Sequence, residues 1–110
     1  MFSDFDTMHL RNIQRKFAND ICKMIMDDKN DHPDGGGCKA FRTPTEWRRL
    51  GHQVPEECIL ILCYDGGDLR HYVSPSYANR KNFEKYNSLL EQHGLWSESQ
   101  NCVVDFIYKR

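Results

Sequence analysis

No run in this chain approaches the roughly 18 consecutive apolar residues that span a bilayer. The start, Met1-Phe2-Ser3-Asp4-Phe5-Asp6, has neither the basic opening nor the apolar centre of a secretory signal, so a cytoplasmic protein without membrane contact is expected. No C-x-x-C pair and no Asn-x-Ser/Thr acceptor occur, and the five cysteines are an odd number, which argues against a disulfide framework and for reduced thiols. An excess of one charge is missing as well. With 15 Lys+Arg against 16 Asp+Glu the formal net charge is −1, unlike a domain that tracks phosphates or an acidic mimic of DNA, and nucleic acid is not the expected partner. Finally, 110 residues leave no room for a barrel of β/α units or a full dinucleotide fold. One domain with one modest two-layer core and no large cofactor is expected over residues 1–110.

The apolar residues present are patterned. Leu10, Ile13, Phe17, Ile21 and Met24 recur at steps of three and four, predicting a helix over 6–28 with Asp6 as N-cap and with Cys22, Ile25 and Met26 widening the stripe near its end. That stripe can pack on a sheet, the simpler arrangement, or on a second copy as a homodimer through the first helix. Turn formers from Lys29 to Gly37 predict a solvated loop over 29–42. Thr43-Pro44-Thr45-Glu46 is a capping-box sequence with proline at the first helical position, predicting a short helix over 44–50 that turns Trp47 and Leu50 inward and stops at Gly51.

Cys58 to Tyr64 is a continuous apolar run of strand length ending in Asp65-Gly66-Gly67-Asp68, which predicts a hairpin over 58–73 with Leu69–Val73 as the second strand. A helix over 75–93 follows on the stripe Phe83, Tyr86, Leu89, Leu90 and His93, closed by Gly94 and Leu95. Ser97 to Asn101 reads as a polar turn before a last strand over 102–108. The expectation is an α+β fold: a three-stranded antiparallel sheet of order 2-1-3, packed with two long helices and one short helix.

Four groups of residues invite chemistry. His32, Cys38, His52 and Cys58 are of zinc-ligand type, but the five residues within each pair exceed ordinary ligand spacing, so no metal is expected. Cys38 follows three glycines and has His32 or His52 as a candidate base, which defines the alternative reading, a small hydrolase-like or zinc-binding enzyme using Cys38 and His52. The same glycines lack the spacing and the Ser/Thr of a phosphate loop. Cys58 and Cys63, five steps apart on a strand, are expected on opposite faces. Asp65 and Asp68 suit a tight turn, and Asp105, interrupting the last apolar run, is expected to face solvent or an arginine. Arg48 and Arg49 beside Trp47, and Arg80, Lys81 and Lys85 near Tyr77 and Tyr86, combine cations with aromatics as protein interfaces do. Trp47, Arg48, Arg49, Asp65, Asp68, Arg80 and Lys81 are the expected partner-binding residues; a nucleic-acid accessory role is a further alternative.

The segment Phe41-Arg42-Thr43-Pro44-Thr45-Glu46-Trp47 through Gly51, then Ile59 to Asp68, and the closing Ile107-Tyr108, about a third of the chain, resemble a pattern in small proteins of bacteria, phages and plasmids. The resemblance implies a place in mobile elements and an anti-CRISPR-like role: a non-enzymatic viral protein that inhibits a bacterial defence complex by stoichiometric contact in the host cytoplasm. It carries over no catalytic residue.

Overall fold

The computed structural model describes residues 9–27, 40–64, 69–101 and 103–110. These residues form an α+β fold with four helices and a four-stranded antiparallel sheet. In chain order the elements are α1 (Asn12–Asp27), β1 (Phe41–Arg42), α2 (Pro44–Arg49), β2 (Cys58–Cys63), α3 (Arg70–Val73), α4 (Arg80–Gln92), β3 (Leu95–Asn101) and β4 (Val104–Lys109). The sheet order is β1-β2-β4-β3. The expected three strands in order 2-1-3 are thus corrected in three places, although β2 is internal as expected and pairs antiparallel with the last strand.

The first correction is the hairpin over 58–73. Residues 70–73 form a helical turn, because Leu69, Tyr72 and Val73, spaced by three and four, are the buried set; a five-residue segment satisfies helical and strand periodicities equally, and packing decides. The second is the polar turn at 97–101, which is the body of β3. An edge strand wetted on most of its surface needs no apolar alternation, so its pattern carries no strand signal. The end of the expected 29–42 loop also differs: Phe41 and Arg42 pair with Leu62 and Ile61 as a short edge strand.

Helix boundaries shift for local reasons. The expected 6–28 helix begins at Asn12, whose φ of 49° is left-handed and stops the helix from running back without a break toward Asp6, itself outside the described residues. Its buried stripe is Phe17, Ala18, Ile21, Cys22 and Ile25, while Met26 faces out at 45% exposure. Helix α2 forms where expected: the Glu46 N–H donates to Thr43 Oγ1 and the Thr43 N–H to Glu46 Oε1, both at 3.1 Å. Gly51, at φ 92°, follows its end, but Leu50 points outward rather than into the core. The 75–93 helix starts only at Arg80, where the Asn79 side chain accepts from the Asn82 N–H; Pro75 and Ser76 belong to the preceding turn.

Two apolar clusters lie on opposite faces of the sheet. Leu60, Leu62, Tyr64 and Ile107 meet α1, α3 and α4 through residues such as Phe17, Ile21, Tyr72 and Leu90. Cys58, Ile61, Cys63, Val104, Phe106 and Tyr108 form the other cluster, against which the partly buried Trp47, Val54 and Val103 pack. Each large apolar side chain buried in these layers contributes about 1.5–3 kcal/mol. The stripe of α1 is consumed in the first cluster, so the helix packs on its own sheet. Cys58 and Cys63 share the second cluster, contrary to expectation: a bulge between Cys58 and Leu60 adds one residue to β2 and restores the odd-numbered step to the same face.

Candidate interaction surface

The second face of the sheet is the less covered one. Helix α2 lies over its β2 side, with Trp47 half-buried on the cluster. The following segment is held down from α2 itself, since Arg48 Nη2 donates to the carbonyls of Val54 at 3.0 Å and Pro55 at 3.3 Å. That clasp brings His52 flat onto Trp47, with ring centroids 4.2 Å apart and planes 17° from parallel. At the other side Trp96 of β3, 40% exposed, stacks on Tyr108 of β4 at 4.5 Å. The Tyr108 hydroxyl is directed at Glu98 Oε1; burial, then the Glu98 charge, push its pKa up to about 12.

Beside the Trp47–His52 pair run two adjoining clefts of about 290 and 390 Å³. Both are floored by Phe106 and walled by the amides of Gln53 and Gln100, and the smaller also touches Trp47 and His52. They make one groove with an apolar floor and neutral, hydrogen-bonding walls. Such a surface presents dry contact area in the centre and polar groups at the rim, the arrangement found in protein interfaces.

The residues expected to bind a partner do not converge. Trp47 borders the groove, and Arg49 is exposed on the same helix. Arg48 is exposed too, but its guanidinium works within the chain, on the Val54 and Pro55 carbonyls. Arg80 and Lys81 sit at the start of α4, in the helical layer on the opposite face; the exposed Arg80 pairs with Glu84 one turn on at 3.0 Å, a solvent-screened contact of small consequence. Asp65 and Asp68 lie outside the described residues, as do His32 and Cys38. Of the remaining zinc-type residues, His52 is at the groove rim, whereas Cys58 is buried with its thiol directed at the Leu60 carbonyl, and burial raises its pKa. Among the described residues no three His, Cys, Asp or Glu side chains are grouped to hold a metal ion.

One polar constellation was not anticipated. Asp105, at 2% exposure, faces neither solvent nor an arginine. Its Oδ1 accepts from the Tyr64 hydroxyl at 2.5 Å and its Oδ2 from the Tyr86 hydroxyl at 3.0 Å, so one buried carboxylate joins β2, β4 and α4. Burial raises the Asp105 pKa against the opposing effect of hydrogen bonds from Tyr64, Tyr86 and Ser99. Burial likewise lifts Tyr86 well above its ordinary value, with the Asp105 charge adding to it. An Asp within an apolar strand, together with a Tyr in a helix stripe, is the sequence signal for this set. It lies on the helical side of β4, away from the groove floored by its neighbours Val104 and Phe106.

A third cleft, about 420 Å³, runs between α1 and α4 past Asp20, Lys23, Lys85 and Leu89. There His93 Nε2 lies 2.8 Å from Asp20 Oδ2 and ties the end of α4 to α1. Its walls carry opposite charges, and its groups hold the two helices together. Comparison with known protein families, curated proteins and solved structures finds no match.

Proposed function

We propose that this protein acts by stoichiometric binding to another protein, and that the groove beside Trp47 and His52, on the face that also carries the Trp96–Tyr108 stack, is the contact surface. The observation that carries this reading is one sheet face that bears two stacked aromatic pairs, Trp47–His52 and Trp96–Tyr108, together with an apolar-floored groove edged by Gln53 and Gln100. Large aromatic anchors within a polar rim supply most of the energy of a typical protein interface. The resemblance noted in the sequence supplies the partner: a bacterial defence complex, of the CRISPR or restriction kind, inhibited by a phage- or plasmid-borne protein in the host cytoplasm.

The test is biological and direct. Expressing the chain in a bacterium that carries such a system raises the plating efficiency of a targeted phage, and Gln53→Arg with Gln100→Arg removes that effect in a chain that still folds. Retained protection with both arginines in place overturns the groove assignment. Loss of protection on Cys38→Ser in a folded protein favours the enzymatic alternative.

A further inference from the structure

Trp96 and Tyr108 are direct cross-strand partners, and their stack leaves the two faces of the indole unequal. Tyr108 covers one face. Because β3 is an edge strand, the other face is turned outward, in keeping with the 40% exposure of Trp96. Two residues along, Glu98 projects from the same side of β3. Its Oε1 accepts from the Gln100 side-chain amide at 3.1 Å and faces the Tyr108 hydroxyl at 3.4 Å, which hold the carboxylate in place beside the indole. Among the described residues its Oε2 accepts no hydrogen bond, and no Lys, Arg or His pairs with it. Arg110 lies opposite Gly94, on the far side of Trp96 from Glu98, and gives its Nε to the Leu95 carbonyl.

We propose that Trp96 and Glu98 together receive an arginine side chain of the partner protein. This rests on the reading that the chain acts by protein contact through this face, and it states what the partner must present there. A guanidinium is flat, weakly hydrated and always charged, so it lies on the open indole face while donating to Glu98 Oε2. An ammonium group matches the charge but not the plane. The same kind of stacking occurs within the chain, where the Arg70 guanidinium lies over the Tyr77 ring at 4.8 Å. A carboxylate already held by two donors loses less freedom on meeting the arginine than a loose surface glutamate does. The charge of Glu98 disfavours a phosphate backbone at the same place. Gln100 lines the groove and also donates to Glu98, so one partner surface can fill the groove and set its arginine on Trp96.

Titration of the isotope-labelled full chain at low salt with acetyl-Gly-Arg-Gly amide tests this, with the Trp96 indole N–H as the magnetic-resonance reporter. A saturable shift of that signal is expected, with a dissociation constant on the order of 10 mM. The same peptide carrying citrulline, which keeps the shape and lacks the charge, is expected to bind roughly tenfold more weakly. Glu98→Gln, at an exposed position that leaves the fold in place, is expected to bring the arginine peptide down to the citrulline level. The absence of a saturable shift at Trp96, or equal binding of the arginine and citrulline peptides, overturns the proposal. In the phage assay Glu98→Gln is expected to lower protection about tenfold. If Gln53→Arg abolishes protection and Glu98→Gln leaves it whole, the arginine assignment falls and the groove reading stands. If the arginine peptide binds at Trp96 while Gln53→Arg with Gln100→Arg leaves protection untouched, the groove reading falls and the arginine site stands.

Discussion

The two faces of β4 differ in what their polar groups do. On the helical side Asp105 is sealed with both oxygens occupied by buried phenols, and its neighbour Ile107 sits in the main core. On the other side Phe106 and Val104, at 6% and 7% exposure, are nearly buried, and the exposed polar groups nearby, Gln53 and Gln100, line an open groove. The same strand thus carries a closed polar hub and an open apolar floor one residue apart. A satisfied buried network fixes the arrangement of the elements it joins; a shallow apolar groove edged by exposed amides, of which Gln100 is steadied by its bonds to Glu98, leaves contact area for something else.

Substitutions that break this contrast should differ in size. Asp105→Ala strands two buried hydroxyls without their acceptor and is expected to lower unfolding stability by about 2–4 kcal/mol, as read from urea denaturation. A loss below that range would mean the hub is wetter than its burial indicates. Thr43→Ala removes the cap of α2, which carries both Trp47 and the Arg48 clasp, and is expected to cost about 1 kcal/mol and to weaken binding through the displaced groove wall. Asp105→Asn keeps the shape and one acceptor oxygen, and is expected to stay within about 1 kcal/mol of the parent.

That last variant also separates charge from shape. Because the folded-state pKa of Asp105 is raised, the folded chain keeps its proton where the unfolded chain releases it. Stability from this group is therefore greatest below the ordinary carboxylate value of 3.8 and falls as pH rises through the folded value. Relative to the parent, Asp105→Asn should gain stability over that same rise; a difference that is flat with pH would show that the carboxylate is not desolvated. Gln53→Arg and Gln100→Arg should change stability by less than about 0.5 kcal/mol, the smallest effect of the set, while having the largest effect on partner contact.

Local sequence chemistry foretold part of this molecule. The α2 cap, the apolar β2 run and the stripes of α1 and α4 are each specified by residues adjacent in the chain, and each forms. What was illegible depends on distant packing. Residues 70–73 had two equal periodicities, the edge position of β3 released it from alternation, and the Cys58–Leu60 bulge reversed the face of Cys58 without any glycine to mark it. At the groove, Trp47 was visible as an aromatic beside cations, but Gln100 and Phe106 meet through the pairing of β3 with β4, and Gln53 joins them by the path of the loop after α2. The clasp of Arg48 was illegible for the same reason: its partners, the Val54 and Pro55 carbonyls, are supplied by the path of a loop.

The central claim, that the groove face and not the helical face meets the partner, is tested most directly by a crossed pair of variants in the phage-defence assay. Gln53→Arg with Gln100→Arg alters the groove, and Arg80→Ala with Lys81→Ala alters the start of α4 on the other side. The account predicts that the first pair abolishes protection of a targeted phage and the second leaves it intact; the opposite result would contradict it.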